Sequence, residues 1–138
     1  MSVFDTIRIA ASGLTAQRLR MDIAASNLAN AQTTRSEANP NQPYQEEAVV
    51  LQATQMGPEP SALGVTAVAI VNPLRPNTRV YDPGNPDADQ QGFVTYPNVD
   101  VSSEMTDMMG AARSYQVNAT VAQAAKQQAL DAIDLGKA

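Results

Sequence analysis

The chain has 138 residues, the length of one domain, a formal net charge of -5 at pH 7, and neither cysteine nor histidine. Its two lysines and seven arginines are scattered, so they leave no footprint for nucleic acid or anionic lipid, whose binding depends on concentrated positive charge. Disulfide and thiolate chemistry are excluded, and the commonest general base and transition-metal ligand are both missing.

Composition divides the chain in three. All nine prolines and four of the six aromatics fall between Pro40 and Pro97, while the ends are rich in Ala, Gln, Met and Leu. This predicts an N-terminal core helix within residues 1–34, an extended, β-rich middle over 35–98 and a C-terminal core helix within 99–138. The fold class expected is mainly α with a small β element: long terminal helices in a coiled-coil-like bundle around which a middle segment of short strands and loops is arranged.

In chain order, the first helix is predicted from about Ser2 to Ala31. Ser2 followed by Asp5 is a capping-box start. Ile7, Leu14, Met21 and Leu28 recur every seven residues, with alanines at most intermediate positions, which is a heptad seam. Gly13 interrupts it as either a tolerated weakness or the site of a close helix crossing. From Asn27 onward the run of Asn, Gln and Thr favours local side-chain hydrogen bonds and predicts fraying.

Proline and glycine clusters at Pro40 to Pro43, Gly57 to Pro60, Asn72 to Asn77 and Asp82 to Pro86 bound four short strands. These are predicted at Tyr44 to Leu51, Gly64 to Val71, Arg79 to Tyr81 and Gly92 to Tyr96, forming one hairpin-scale sheet. The last helix is predicted from about Ser102 to Leu135, with Ser102 or Ser103 as N-cap, Glu104 in the first turn and Gly136 as the stop. Met105, Met108, Ala112, Tyr115, Ala119, Ala122, Ala129 and Ile133 make a second seam, broken at Lys126.

Two long helices with alanine-rich seams bury little apolar surface, so the pattern predicts ordering by packing against other subunits. Catalytic and ligand motifs are weak by comparison. The acidic loop Asp82, Asp87 and Asp89 lacks the spacing of a calcium loop and reads as a solvated turn. Glu46 and Glu47 would point to opposite faces of a strand and blunt an edge. Met105, Met108 and Met109 read as adaptable packing, not as a soft-metal stripe. No nucleophile has a base beside it, no stretch approaches a membrane span, and no cleavable leader is expected at the N-terminus. A small secreted binding module whose β part holds a ligand is the alternative that composition leaves open.

The run from Ser12 to Arg35, SGLTAQRLRMDIAASNLANAQTTR, resembles the signature of flagellar axial proteins of the rod and hook through Ser12, Gly13, Leu14, Ala16, Asn27, Leu28, Ala29, Asn30, Thr33 and Thr34. Stretches at Tyr81 to Asp100, Glu104 to Asn118 and the C-terminus are similar to proximal-rod members of that family, with Asn85 where histidine is expected. The resemblance implies a non-enzymatic structural subunit without cofactor or metal, exported by the flagellar type III apparatus without a cleaved signal. It also implies helical assembly in the periplasm with copies of itself, other rod proteins, the rod-base adapter and the MS-ring protein, without insertion into the membrane. The residues expected at subunit interfaces are Ile7, Ser12, Gly13, Leu14, Met21, Asn27, Leu28, Asn30, Met105, Met108, Ala112, Tyr115, Asn118, Ala122 and Ile133.

Overall fold

The first helix, α1, runs Val3–Ala29 and begins with both halves of the capping box: Ser2 Oγ accepts a backbone N–H of the first turn, and the Asp5 carboxylate accepts the Ser2 N–H at 2.8 Å. In the computed structural model residues 2–36, 42–73 and 75–137 are described, and the turn cluster expected from Pro40 starts outside them. Asn30 closes α1, its backbone N–H reaching the Ser26 and Leu28 carbonyls and its side chain bonding the Ser26 carbonyl at 3.0 Å.

Among the described residues four strands follow, β1 (Ala48–Gln55), β2 (Leu63–Val71), β3 (Thr78–Tyr81) and β4 (Phe93–Tyr96), before the long helix α2 (Val101–Leu135). The predicted single sheet is corrected to two separate antiparallel ribbons, β1 with β2 and β3 with β4. The first ribbon runs in register from Ala48 opposite Val71 to Gln55 opposite Leu63, with Val68 bulged out between Ala67 and Ala69. The strand expected from Tyr44 starts only at Ala48, because the backbone of Glu47 is taken by α1 and has no strand opposite it.

The second correction is at the start of α2. Asp100 is the N-cap, its carboxylate accepting the N–H groups of Ser102 at 2.9 Å and Ser103 at 3.3 Å. A carboxylate placed on the positive end of the helix dipole does what either serine hydroxyl was expected to do.

α1 and α2 pack against each other as an antiparallel pair. Asn27 meets Glu104, Arg20 reaches Asp107, and Gly13 meets Asn118, so the order along one helix reverses along the other. Having 35 residues to the 27 of α1, α2 overruns the start of its partner by about two turns. The expectation of packing against other subunits gains one addition: each terminal helix already has a partner within the chain.

The β1–β2 hairpin lies along α1. Glu47 binds Asn27, the Val65 N–H donates to Ser12 Oγ at 3.0 Å, and Gly57 at the hairpin tip stands against the Asp5 carboxylate. The lengths agree: ten residues of strand and 22 of helix each span about 33 Å. Gly64 is required by the approach, since a Cβ there would fall 2.5 Å from Ser12 Oγ. Among the described residues the buried apolar ones are nearly all alanine, at 10, 16, 24, 62, 111 and 125, joined by Val94 of β4. Such a core is thin. It draws the backbones close and leaves the larger apolar side chains at its rim.

Candidate assembly joint and exposed faces

The residue that ties three elements together is Asn27, only 1% exposed. Its Nδ2 donates to the Glu47 carbonyl at 2.8 Å and to Glu104 Oε2 at 3.1 Å. Its Oδ1 accepts the Tyr44 hydroxyl at 2.8 Å and the Glu47 N–H at 2.9 Å. Both donors and both acceptor positions of the amide are used, so the side chain is fully satisfied where an unpaired one would be costly. One amide thus joins α1, α2 and the lead into β1. The fraying predicted from Asn27 does not occur there, because its hydrogen bonds go to residues 17 to 77 positions away instead of to its own backbone.

Around this joint the charged groups are perturbed. Glu104 is 7% exposed, and burial pushes its carboxyl above the ordinary range, the Asn27 hydrogen bond opposing and the carboxylates of Glu46 and Asp107 reinforcing the rise. Burial likewise raises the Tyr44 phenol; Ser26, within 3.4 Å, opposes the rise, and Glu47, Glu104 and Glu46 add to it. Glu46 and Glu47 precede β1 and do not blunt its edge: Glu47 serves through its backbone, and Glu46 faces Arg75 at 3.5 Å.

The most closely packed part of the helix contact lies one residue behind part of each predicted seam; Met108, Ala122 and Ala129 of the second seam are themselves half-buried on the same stripe of α2. On α1 the row facing α2 includes Gly13, Arg20 and Asn27, beside the half-buried Leu14, Met21 and Leu28. On α2 the buried residues are Glu104, Ala111 and Ala125, not Met105, Ala112 and the out-of-place Lys126. Small residues let the helices close; the large ones sit beside them. At Gly13 a Cβ would lie 2.6 Å from Asn118 Nδ2, so the close-crossing reading of this glycine is the correct one.

The remaining predicted positions are placed as follows. Ile7, Leu14, Met21, Leu28, Met108, Ala112 and Ala122 are half-buried, Tyr115 is exposed at the rim, and Met105 and Ile133 are about half exposed. Ser12 holds the edge of β2, and Asn30 caps α1. Met109, Val117, Val121 and Leu135 add exposed apolar surface to α2. Among these, Val117 and Val121 continue a three-four spacing from Gly110, where an added Cβ would meet nothing within 4 Å. This second open row was missed by a search for large residues, although the spacing alone could have found it.

The acidic loop also acquires a role. Asp87 is gripped by Thr34 Oγ1 and by the Arg35 guanidinium at 2.6 Å, so the end of the N-terminal signature docks the β3–β4 ribbon. Asp89 accepts the N–H groups of Gln91 and Phe93 and pairs with Arg79, and the Phe93 amide foremost holds its carboxyl below the usual range. Arg79 in turn lies 4.8 Å over the Phe93 ring, which meets Tyr81 edge-on at 5.3 Å. Asn85 closes the turn by accepting the Asp87 N–H at 3.0 Å. The solvated-turn reading of this loop is therefore too weak for Asp87 and Asp89. Among the described residues no three carboxylates converge to hold a metal ion, and no helix is long and apolar enough to cross a membrane.

Two family descriptions match the chain at its helices: residues 7–35 match Flagella basal body rod protein, and residues 90–135 match Flagellar basal body rod FlgEFG protein C-terminal. Together with the paired terminal helices and the docked signature, they define the class, a structural flagellar rod protein and not an enzyme. Curated relatives called Flagellar basal-body rod protein FlgC are 41% identical in Escherichia coli O6:H1, 40% in Salmonella typhimurium and 38% in Bacillus subtilis, each alignment covering 99% of this chain and 100% of the relative. The chain belongs to the FlgC family of flagellar basal-body rod proteins, and its place is the flagellar basal body.

Proposed function

We propose that the chain polymerises helically, with copies of itself and with the other rod proteins, into the proximal part of a hollow drive shaft that transmits torque. The observation that carries this is the apolar surface left after the helices have paired: Met109 is 66% exposed, Ile133 54% and Leu135 79%. Each such side chain, once fully covered, contributes about 1.5–3 kcal/mol. In this reading residues 1–34 and 99–138 form the bundled, coiled-coil-like inner wall and residues 35–98 lie outside it. The interface set predicted from the sequence then serves contacts between subunits through its rim members, Ile7, Leu14, Met21, Leu28, Met105, Tyr115 and Ile133.

The rod-base adapter and the MS-ring protein are the neighbours expected at the base. Export through the flagellar type III apparatus, without a cleaved signal, would deliver the subunit to the periplasm. The ligand-holding β module finds no support, since the curated relatives at this similarity are rod proteins.

The test is Ile133→Asp, at a position exposed in the single chain, introduced alone and together with Met105→Asp. The purified variants should keep the circular dichroism and urea midpoint of the parent, whereas cells carrying them should lose rods and motility. Full motility with both substitutions in place would refute the proposal.

A further inference from the structure

Glu46 Oε2 is buried and has no hydrogen-bond partner among the described residues; Arg75, more than half exposed, approaches it at 3.5 Å without hydrogen-bond geometry. Glu46 also lines a cavity of about 150 Å³ between α1, α2 and the lead into β1, together with Arg20, Glu47, Glu104 and Asp107. The cavity is part polar and part apolar and has room for several waters. Glu46, Glu104 and Asp107 line this space with Arg20, which is held 3.6 Å from Asp107, while Arg75 reaches Glu46 at 3.5 Å. Tyr44 faces the same joint from the segment before β1.

The geometry points to a proton-operated latch in which a proton held by Glu104 of α2 bridges it to Glu46 at the root of β1 across the cavity. With the proton present, Glu104 supplies a donor toward Glu46, whose Oε2 lacks one, while its acceptor role toward Asn27 is kept. Without it, two ionised carboxylates on different elements repel along the line where the hairpin leaves the helix pair. Burial favours the neutral form of Glu104, in keeping with this arrangement.

The sign follows from linkage. A carboxyl whose titration is raised in the folded chain binds its proton more tightly there than in the unfolded chain. Its contribution is complete below the ordinary glutamate value of 4.5 and is lost as pH rises through the folded value. The latch is closed in acid and loosens as pH rises through that folded value, and it does not depend on the rod reading.

The decisive measurement is a carbon-13 NMR titration of the Glu104 carboxyl in the intact chain, with amide hydrogen exchange at Glu47 and Val65 between pH 5 and 8. Glu104 should titrate above 4.5, and protection at Glu47, corrected for the intrinsic rate, should fall about tenfold for each unit of that excess. Glu104→Gln keeps an acceptor for Asn27 and should flatten the profile, and Glu46→Gln should bring the Glu104 titration down. A Glu104 titration at or below 4.5, or a Glu104→Gln profile matching the parent, would overturn the latch. Should Glu104→Gln fail to fold, the titration of the parent chain decides alone.

Discussion

Replacing Asn27 by alanine strips one buried amide from the joint and leaves four groups to be satisfied otherwise: the N–H and carbonyl of Glu47, the Tyr44 hydroxyl and Glu104 Oε2. A hydrogen bond contributes about 1 kcal/mol net, more when a charged partner is involved, and a buried group left unpaired costs about 1–3 kcal/mol. Tyr44 retains Ser26 nearby, and water can enter a space of this polarity, so the losses do not simply add. The expected destabilisation is about 3–5 kcal/mol, a large share of the ~5–15 kcal/mol typical of a domain. Urea unfolding followed by far-ultraviolet circular dichroism should show a midpoint lowered on the order of 2 M. Asn27→Asp should do at least as much damage at neutral pH, because it sets a carboxylate against Glu104 and the Glu47 carbonyl, and should recover in part in acid. A loss below about 1 kcal/mol for Asn27→Ala would refute the claim that this amide welds the three elements.

Three further outcomes are expected. Gly13→Val should cost about 1–3 kcal/mol by driving into Asn118, and Asn118→Ala should relieve most of it in a double-mutant cycle measured by urea unfolding. Asp87→Asn should loosen the β3–β4 ribbon without unfolding the helix pair, seen as faster hydrogen exchange at Val80 and Val94 with unchanged protection at Val65. Asp89 should titrate below its ordinary value of 3.8, so what it adds to the ribbon is present above that pH and is lost as pH falls through the folded value; a carboxyl NMR titration at 3.8 or above would contradict this.

What could be read in the sequence was what is decided locally. The capping box of Ser2 and Asp5 lies within four residues, and β2, β3 and β4 are bounded by proline and glycine clusters, so each was placed to within a residue or two. The start of α2 was missed narrowly because Asp100, Ser102 and Ser103 are all good caps in one short run, and only the backbone geometry selects Asp100. The joint was illegible for a different reason. Asn27 has the composition of a helix stop, and its real partners, Tyr44, Glu47 and Glu104, are brought to it only by tertiary packing.

The seams show the same limit. Searching for large apolar residues found Leu14, Met21, Met105 and Ile133, which do recur at helical spacing but stand at the rim or in the open. The helices meet through Gly13, Ala111 and Ala125, which contribute little area and much proximity. A pattern of large side chains records which faces of a helix are apolar, and it does not say which of them the chain itself covers. The Asp87 dock escaped notice because Thr34 and Arg35 lie 53 and 52 residues away from it in sequence and are ordinary in type.

The antiparallel return of α2 along α1 gives the molecule two unlike poles. One carries the entry of the first helix and the exit of the last; the other carries the Asn27 weld and the crossing into the ribbons. Small labels attached beside Ser2 and Lys137 would therefore report on the same pole, and a label on the loop after α1 on the opposite one. Such a pair of marks would reveal which way each copy points along any fibre it forms, without resolving a single side chain.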